Sequence, residues 1–188
     1  SIARNKLSVT MDTRRAEGRE LLIRLAESSD IFIDNFKASG LGRLGIDPDE
    51  LRRRNPSLIV IREPPTGLTG DWAHYTGFGA QFDALTGLLS ICGHRGSDVT
   101  TTPVTTYMDA ASGPAGAFAA LAAVRYRRFT GRGQLVEARR SENVINHLGE
   151  MFVDQQLGSE PGRIGNRDRW RAPQGVYRGR GPDDWIAV

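Results

Sequence analysis

At 188 residues, with 39% hydrophobic and 25% charged residues, the chain has the size and balance of a soluble globular domain with a real core, which excludes a disordered segment. Its net charge is +3, and 22 acids are interspersed with scattered arginines. That weighs against nucleic-acid binding, which needs basic residues gathered on one face or stripe, and suits an anionic small molecule. No stretch approaches the roughly 20 apolar residues of a bilayer span, so no membrane partner is expected.

In chain order, "SVTMD" alternates as a short strand should. "RRAEGRELLIRLAESS" then sets Leu21, Leu22, Leu25 and Ala26 on one helical face. "DIFIDNF" reads as a buried parallel strand. "LGRLGIDPDELRRRNPSL" contains a helix start with Asp47 as cap and Pro48 at the first helical position. "SLIVIRE" completes strand–helix–strand–helix–strand, which predicts an α/β fold with a parallel sheet flanked by helices. "PPTGLTGDWAHYTG" is a loop, and "FGAQFDALTGLLSICG" a helix with Phe78, Phe82, Leu85 and Leu89 on one face. A second loop, "HRGSDVTTTPVTTYM", leads into a small-residue helix that closes on "RYRRFTGRG". "QLVEAR" follows as a strand and "SENVINHLGEMFVDQQLG" as a helix capped by Ser141. The tail from Gly158 to Asp184 has little apolar periodicity before the closing "WIAV", and it reads as a connector. The opening "SIARNKLSVTMD" lacks an initiator Met and "DDWIAV" is a strand pattern broken off, so a piece of a longer chain is expected.

Asp109 stands at the head of "DAASGPAGAFAALAAV". An acid there serves as a helix cap, because its side chain accepts orphan N–H groups. The general habit of Asp at helix starts favours that reading, while a carboxylate at a helix mouth is also well placed to attack an activated acyl group. Both readings stay open on the residues alone. Other chemistries find little support. His74, His94 and His147 do not form a metal motif, and one cysteine offers no thiolate cluster. Cys92 lies in an apolar run and reads as core filler in a reducing, cytoplasmic setting. No G-x-S-x-G elbow is present, and "TGFGAQ" and "GRGQ" match neither phosphate-loop nor dinucleotide fingerprints.

Five segments in order carry more: "NKLSVTMDTRRAEGRELL", "DIFIDNFKASGLGRLGIDPDELRRRNPSLIVI", "DALTGLL", "YMDAASGPAGAFAALAAVRYRRFTGRGQLVEA" and "GNRDRWRAPQGVY". Together they resemble the family III CoA-transferases, a group that includes formyl-CoA and carnitine-CoA transferases and, as a cousin, α-methylacyl-CoA racemase. The resemblance covers nearly the whole chain. It implies a partial Rossmann-like large domain over residues 1–157 and a connector leading into a further segment over 158–188. It matches Asp109 to the family's nucleophilic aspartate. Thr13, Arg14, Asn35, Phe36, Lys37 and Arg43 fall where the family touches CoA, whose phosphates suit forked arginine contacts. Gly77, Phe78, Gly79 and Ala80 match loosely and imply backbone contacts. The family's usual Tyr, Asp or Glu is missing from "TGFGAQF", its glycine-rich loop is replaced by "REPPTGLTGDW", and its first βα unit and C-terminal part lie outside these residues.

The resemblance implies CoA transfer from an acyl-CoA to a carboxylic acid, with CoA as substrate, no tightly bound cofactor, no metal, and an interlaced homodimer. Two alternatives stand beside it. Racemisation of a 2-methylacyl-CoA needs a base where this chain has Phe78. A non-catalytic piece of a longer protein would need no chemistry at all.

Overall fold

A computed structural model describes residues 4–102, 106–160 and 162–188. Residues 103–105, which fall in the loop expected ahead of Asp109, the first three residues and residue 161 lie outside the described set. The chain divides into two compact units, one comprising residues up to Thr76 with Ala110–Asn143, the other Gly77–Asp109 with Val144–Val188.

The first unit is built on a parallel sheet in the order β1 (Ile31–Asp34), β2 (Ile59–Arg62), β3 (Leu135–Glu137). Asp34 lies opposite Arg62, and Val60 opposite Leu135. The middle strand is buried along its whole length, as its unbroken Ile-Val-Ile run requires. Strand β1 departs from expectation, because Ile33 is 55% exposed while Ile31 on the same face packs against Ile59 and Ile61. Helix α1 (Ala16–Glu27) and helix α3 (Pro48–Arg54) pack with Leu41, Leu58 and Val60 into one core. Asp47 caps α3 as predicted, its Oδ1 accepting the Asp49 N–H at 2.9 Å. A short helix α2 (Gly40–Arg43) sits between β1 and α3.

On the other side of the sheet, helix α6 (Tyr107–Thr130) sets Ala120, Ala123 and Val124 against Ile59 and Ile61. The alanines permit that approach. At the far end of the helix, Arg127 donates to the Asp30 carboxylate at 2.8 Å and to the Ser57 carbonyl. In "GRGQ", a Cβ on Gly133 would collide with the Leu58 carbonyl, so that glycine serves packing rather than phosphate binding.

The predicted strand over "SVTMD" is absent. Residues 8–12 run without ladder pairing, Val9 is 65% exposed, and Asp12 instead accepts the Arg15 N–H in a turn.

In the second unit, helices α4 (Gly79–Leu85) and α5 (Leu88–Ile91) replace the single helix expected. Gly87 breaks it at φ +85°, a conformation that costs glycine little. Phe82, Leu88, Met108, Val144 and Leu148 form the core, with Cys92 packed against them as expected of a filler. The last long helix is likewise divided, into α7 (Arg140–His147) and α8 (Gly149–Gln156). It starts ahead of Ser141, whose N–H donates to the Pro65 carbonyl, so Ser141 is inside the helix and not its cap. The closing "WIAV" becomes β5 (Trp185–Ala187), paired antiparallel with β4 (Val176–Arg178), a partner the periodicity did not indicate.

Candidate functional site

Asp109 is the third residue of α6, and its side chain is exposed. The helix mouth is capped by a different acid. Asp83, on α4 and only 1% exposed, accepts the Tyr107 N–H on Oδ2 at 3.0 Å and the Met108 N–H on Oδ1 at 2.9 Å. Two of the orphan donors of α6 are thereby satisfied by one buried carboxylate.

Thr106 precedes the helix at φ +46°, and its carbonyl accepts the Asp109 N–H at 3.0 Å. A β-branched residue in the left-handed region stores strain on the order of 1–3 kcal/mol, of the kind concentrated at functional sites. Gly79 lies directly against the acid: a Cβ there would stand 2.7 Å from Asp109 Oδ2 and 3.2 Å from the Thr106 side chain. No larger residue fits without moving the carboxylate.

Of the other predicted backbone contacts, Phe78 has its N–H occupied by Gln81 Oε1 at 2.8 Å and an exposed ring. Gly79 and Ala80 are the first two residues of α4, where N–H groups have no intrahelical acceptor. Gly77 lies close to Phe82. Tyr107 also donates to or accepts from His147 Nδ1 at 2.8 Å, with the two rings edge to face.

The first unit holds the remaining predicted residues. At the carboxyl ends of β1 and β2, where open α/β sheets receive ligands, Asp34 and Arg62 form a buried ion pair at 3.0 Å. Asp34 Oδ1 also accepts the Phe36 N–H at 3.0 Å, which fixes the turn bearing Asn35, Phe36 and Lys37. Lys37 Nζ donates to Thr76 Oγ1 at 2.6 Å. Arg43, the last residue of α2, is exposed. Thr13 and Arg14 come to the same region through Arg19. Its guanidinium donates to both their carbonyls at 3.2 Å, and its stem lies against Gly45, two residues beyond Arg43.

Arg14 is not a bare cation. Its Nε and Nη2 meet the two oxygens of Asp12 at 2.8 and 3.1 Å, although the side chain remains 88% exposed. Just beyond β2, burial pushes the Glu63 carboxyl above its ordinary range, with the Asp34 charge adding to the shift and Arg140 opposing it.

Sequence reasoning missed Asp83, Thr106, Asp34, Arg62 and Arg19. A lone acid among apolar residues in "FGAQFDALTGLL" was the available signal for Asp83, and an Asp and an Arg ending two apolar strands was the signal for the ion pair. Among the described residues, no group of three or more His, Cys, Asp or Glu is placed to hold a metal ion, and no helix is long and apolar enough to cross a membrane.

Comparison with known proteins agrees with this frame. CoA-transferase family III matches residues 1–188, and the chain belongs to that family. It is 33% identical over 177 residues to the succinyl-CoA–D-citramalate CoA-transferase of Chloroflexus aurantiacus, covering 94% of this chain and 44% of that protein. It is 28% identical to human α-methylacyl-CoA racemase, covering 93% of this chain and 43% of the racemase. A crystal structure of a CaiB/BaiF family protein from Brucella suis superimposes with a TM-score of 0.84 at 27% identity, over 96% of this chain and 47% of that one. The chain therefore spans just under half the length of these relatives.

Proposed function

We propose that the full-length protein transfers CoA from an acyl-CoA thioester to a carboxylic acid, with Asp109 as the nucleophile. One observation carries the assignment: Asp109 is exposed at the mouth of α6, where Asp83 accepts the Tyr107 and Met108 N–H groups, so that in this reading the helix cap and the nucleophile are two different acids. An Asp109 oxygen attacks the thioester carbonyl, the C–S bond breaks, and a mixed anhydride forms with release of CoA thiolate. The thiolate attacks the aspartyl carbonyl of the anhydride and expels the donor carboxylate, leaving an aspartyl-CoA thioester. The acceptor carboxylate then takes the aspartyl group as a second anhydride, and returning thiolate attacks the acceptor's carbonyl to give the product thioester and regenerate Asp109. Each step exchanges one activated carboxylate for another, so a covalent carboxylate intermediate divides the transfer into easier halves.

CoA itself is held, in this reading, by Thr13, Arg14, Asn35, Phe36, Lys37 and Arg43, with backbone contacts from Gly77, Phe78, Gly79 and Ala80. The buried Asp34–Arg62 pair supports it by bracing the Phe36 turn at the sheet top. Residues 1–157 belong to the CoA-binding large domain and 158–188 form the connector of a cytoplasmic, interlaced homodimer. The exposure of Trp170, Val176, Tyr177, Trp185 and Ile186 supports a tail that is covered by further protein.

Racemisation is the second reading, favoured by the similarity to the human enzyme. It is weakened by Phe78 standing where the racemase resemblance calls for a histidine. Deuterium wash-in at the α-carbon of a 2-methylacyl-CoA separates the two. The direct test of transfer is Asp109→Asn in the full-length protein. Turnover should be abolished, hydroxylamine trapping of the acyl-enzyme should disappear, and stability should change by under ~1 kcal/mol, since asparagine is nearly isosteric with aspartate and is itself a good helix-start residue. Wild-type turnover in this variant refutes the assignment.

A further inference from the structure

We infer that Asp83 is the positioning residue for the Asp109 nucleophile. This rests on the reading of Asp109 as the attacking group and adds what aims it. Asp83 belongs to α4, the helix whose first residue is Gly79. Both of its carboxylate oxygens are committed to α6, one to Tyr107 and one to Met108, the two residues immediately before Asp109. Two bonds to successive amides fix both the distance and the rotation of that helix mouth about α4. One bond would hold that rotation less firmly, leaving it to the packing of Met108 and Tyr107.

The same pair of helices is tightly fitted at the acid, because Gly79 approaches Asp109 Oδ2 to within what a Cβ would occupy. A small rotation of α6 about a single remaining bond would either open a gap at Gly79 or drive the carboxylate into it. Asp83 has no freedom to drift. It is 1% exposed, its neighbour Phe82 is in the core, and Thr86 Oγ1 donates back to its main-chain carbonyl at 2.9 Å. At 1% exposure it offers almost no surface to a substrate, so its contribution is to geometry. The strained Thr106 φ is consistent with a helix mouth whose position is imposed by its neighbours rather than by its own backbone preference.

Asp83→Asn in the full-length protein tests this. Asparagine keeps the shape but offers one acceptor oxygen and an NH2 group to two N–H donors. Misplacing a reacting group by about an ångström costs up to about 100-fold. The expected result is a fall in kcat of roughly 10- to 100-fold with the KM for acyl-CoA unchanged, slower hydroxylamine trapping at Asp109, and faster amide exchange at Tyr107 and Met108. Wild-type kcat in Asp83→Asn overturns the inference, as does a rise in KM with kcat unchanged. If Asp83→Asn does not fold, Asp83→Glu decides, because it keeps both acceptor oxygens but shifts them by one methylene against the two amides. It should reproduce the kcat loss at constant KM, and wild-type kcat there overturns the inference too. Failure of the underlying reading looks different. In that case the wild-type protein itself shows no trappable adduct at Asp109, and the inference falls with it.

Discussion

The Asp34–Arg62 pair offers the sharpest test of the sheet top. Asp34→Ala strips a carboxylate that is 3% exposed and leaves the Arg62 guanidinium, 8% exposed, without its counter-charge. Removing one partner of such a pair costs about 3–5 kcal/mol, far more than the 0–1 kcal/mol of surface pairs. It also leaves the Phe36 N–H without the acceptor it has at 3.0 Å. The two losses share one side chain and do not add, so about 3–5 kcal/mol is the expected total. That is a large share of the 5–15 kcal/mol by which domains are stable. Asp34→Asn should fall between, because it can still accept from Phe36 but carries no charge. The double variant Asp34→Ala/Arg62→Met should recover most of the stability, since it leaves no uncompensated charge, yet should still weaken CoA binding because the Phe36 turn has lost its brace. Urea unfolding followed by circular dichroism gives the stabilities, with an unchanged slope required for the comparison; calorimetry gives CoA affinity. A loss below about 1 kcal/mol in Asp34→Ala, or a double variant no more stable than the single, refutes the reasoning.

Glu63 provides a pH test. Its folded carboxyl titrates above the unfolded value because of burial. Its contribution to stability is therefore fully present below the ordinary carboxylate range and is lost as pH rises through the raised folded value. Glu63→Gln should raise the melting temperature at neutral pH, and the gain should vanish as pH falls below the ordinary carboxylate pKa; an equal gain at all pH values contradicts this. For CoA, Arg43→Ala should weaken binding more than Arg14→Ala, since Asp12 already neutralises Arg14 through two hydrogen bonds. Titration of CoA against dephospho-CoA in both variants checks it, and identical affinities for wild type and variants refute the phosphate reading.

Much of the first unit was legible because its signals are local. Asp47–Pro48 announces a helix start, "LIVI" a buried strand, and the small residues after Asp109 a closely packed helix. The misreadings came where a distant partner decides. Residues 8–12 alternate like a strand but have no ladder to join, and Val176–Arg178 becomes one only because Trp185–Ala187 lies beside it. Helical periodicity continued through Gly87, where the backbone turns left-handed. The site was legible as residue types and not as geometry. Asp109 stood out, whereas the acid that caps its helix lies 24 positions before Tyr107, the first residue of that helix, in a run that reads as core.

The register Val60↔Leu135 has a consequence for how the chain is made. Strand β2 can pair with β1 as soon as both have left the ribosome, but its other edge waits until α4, α5 and α6 have been synthesised. At roughly 5–20 residues per second, that leaves it open for on the order of several seconds. The exposed edge is the four-residue run Ile59–Arg62, three of whose side chains are apolar and fully buried in the native sheet. Pairing across such a separation is slow to form, and unpaired apolar edges are the surfaces through which nascent chains associate. Substitutions that delay the docking of α6, such as Ala123→Asp, should therefore lower soluble yield at the stage of synthesis, beyond any loss in the equilibrium stability of the finished protein.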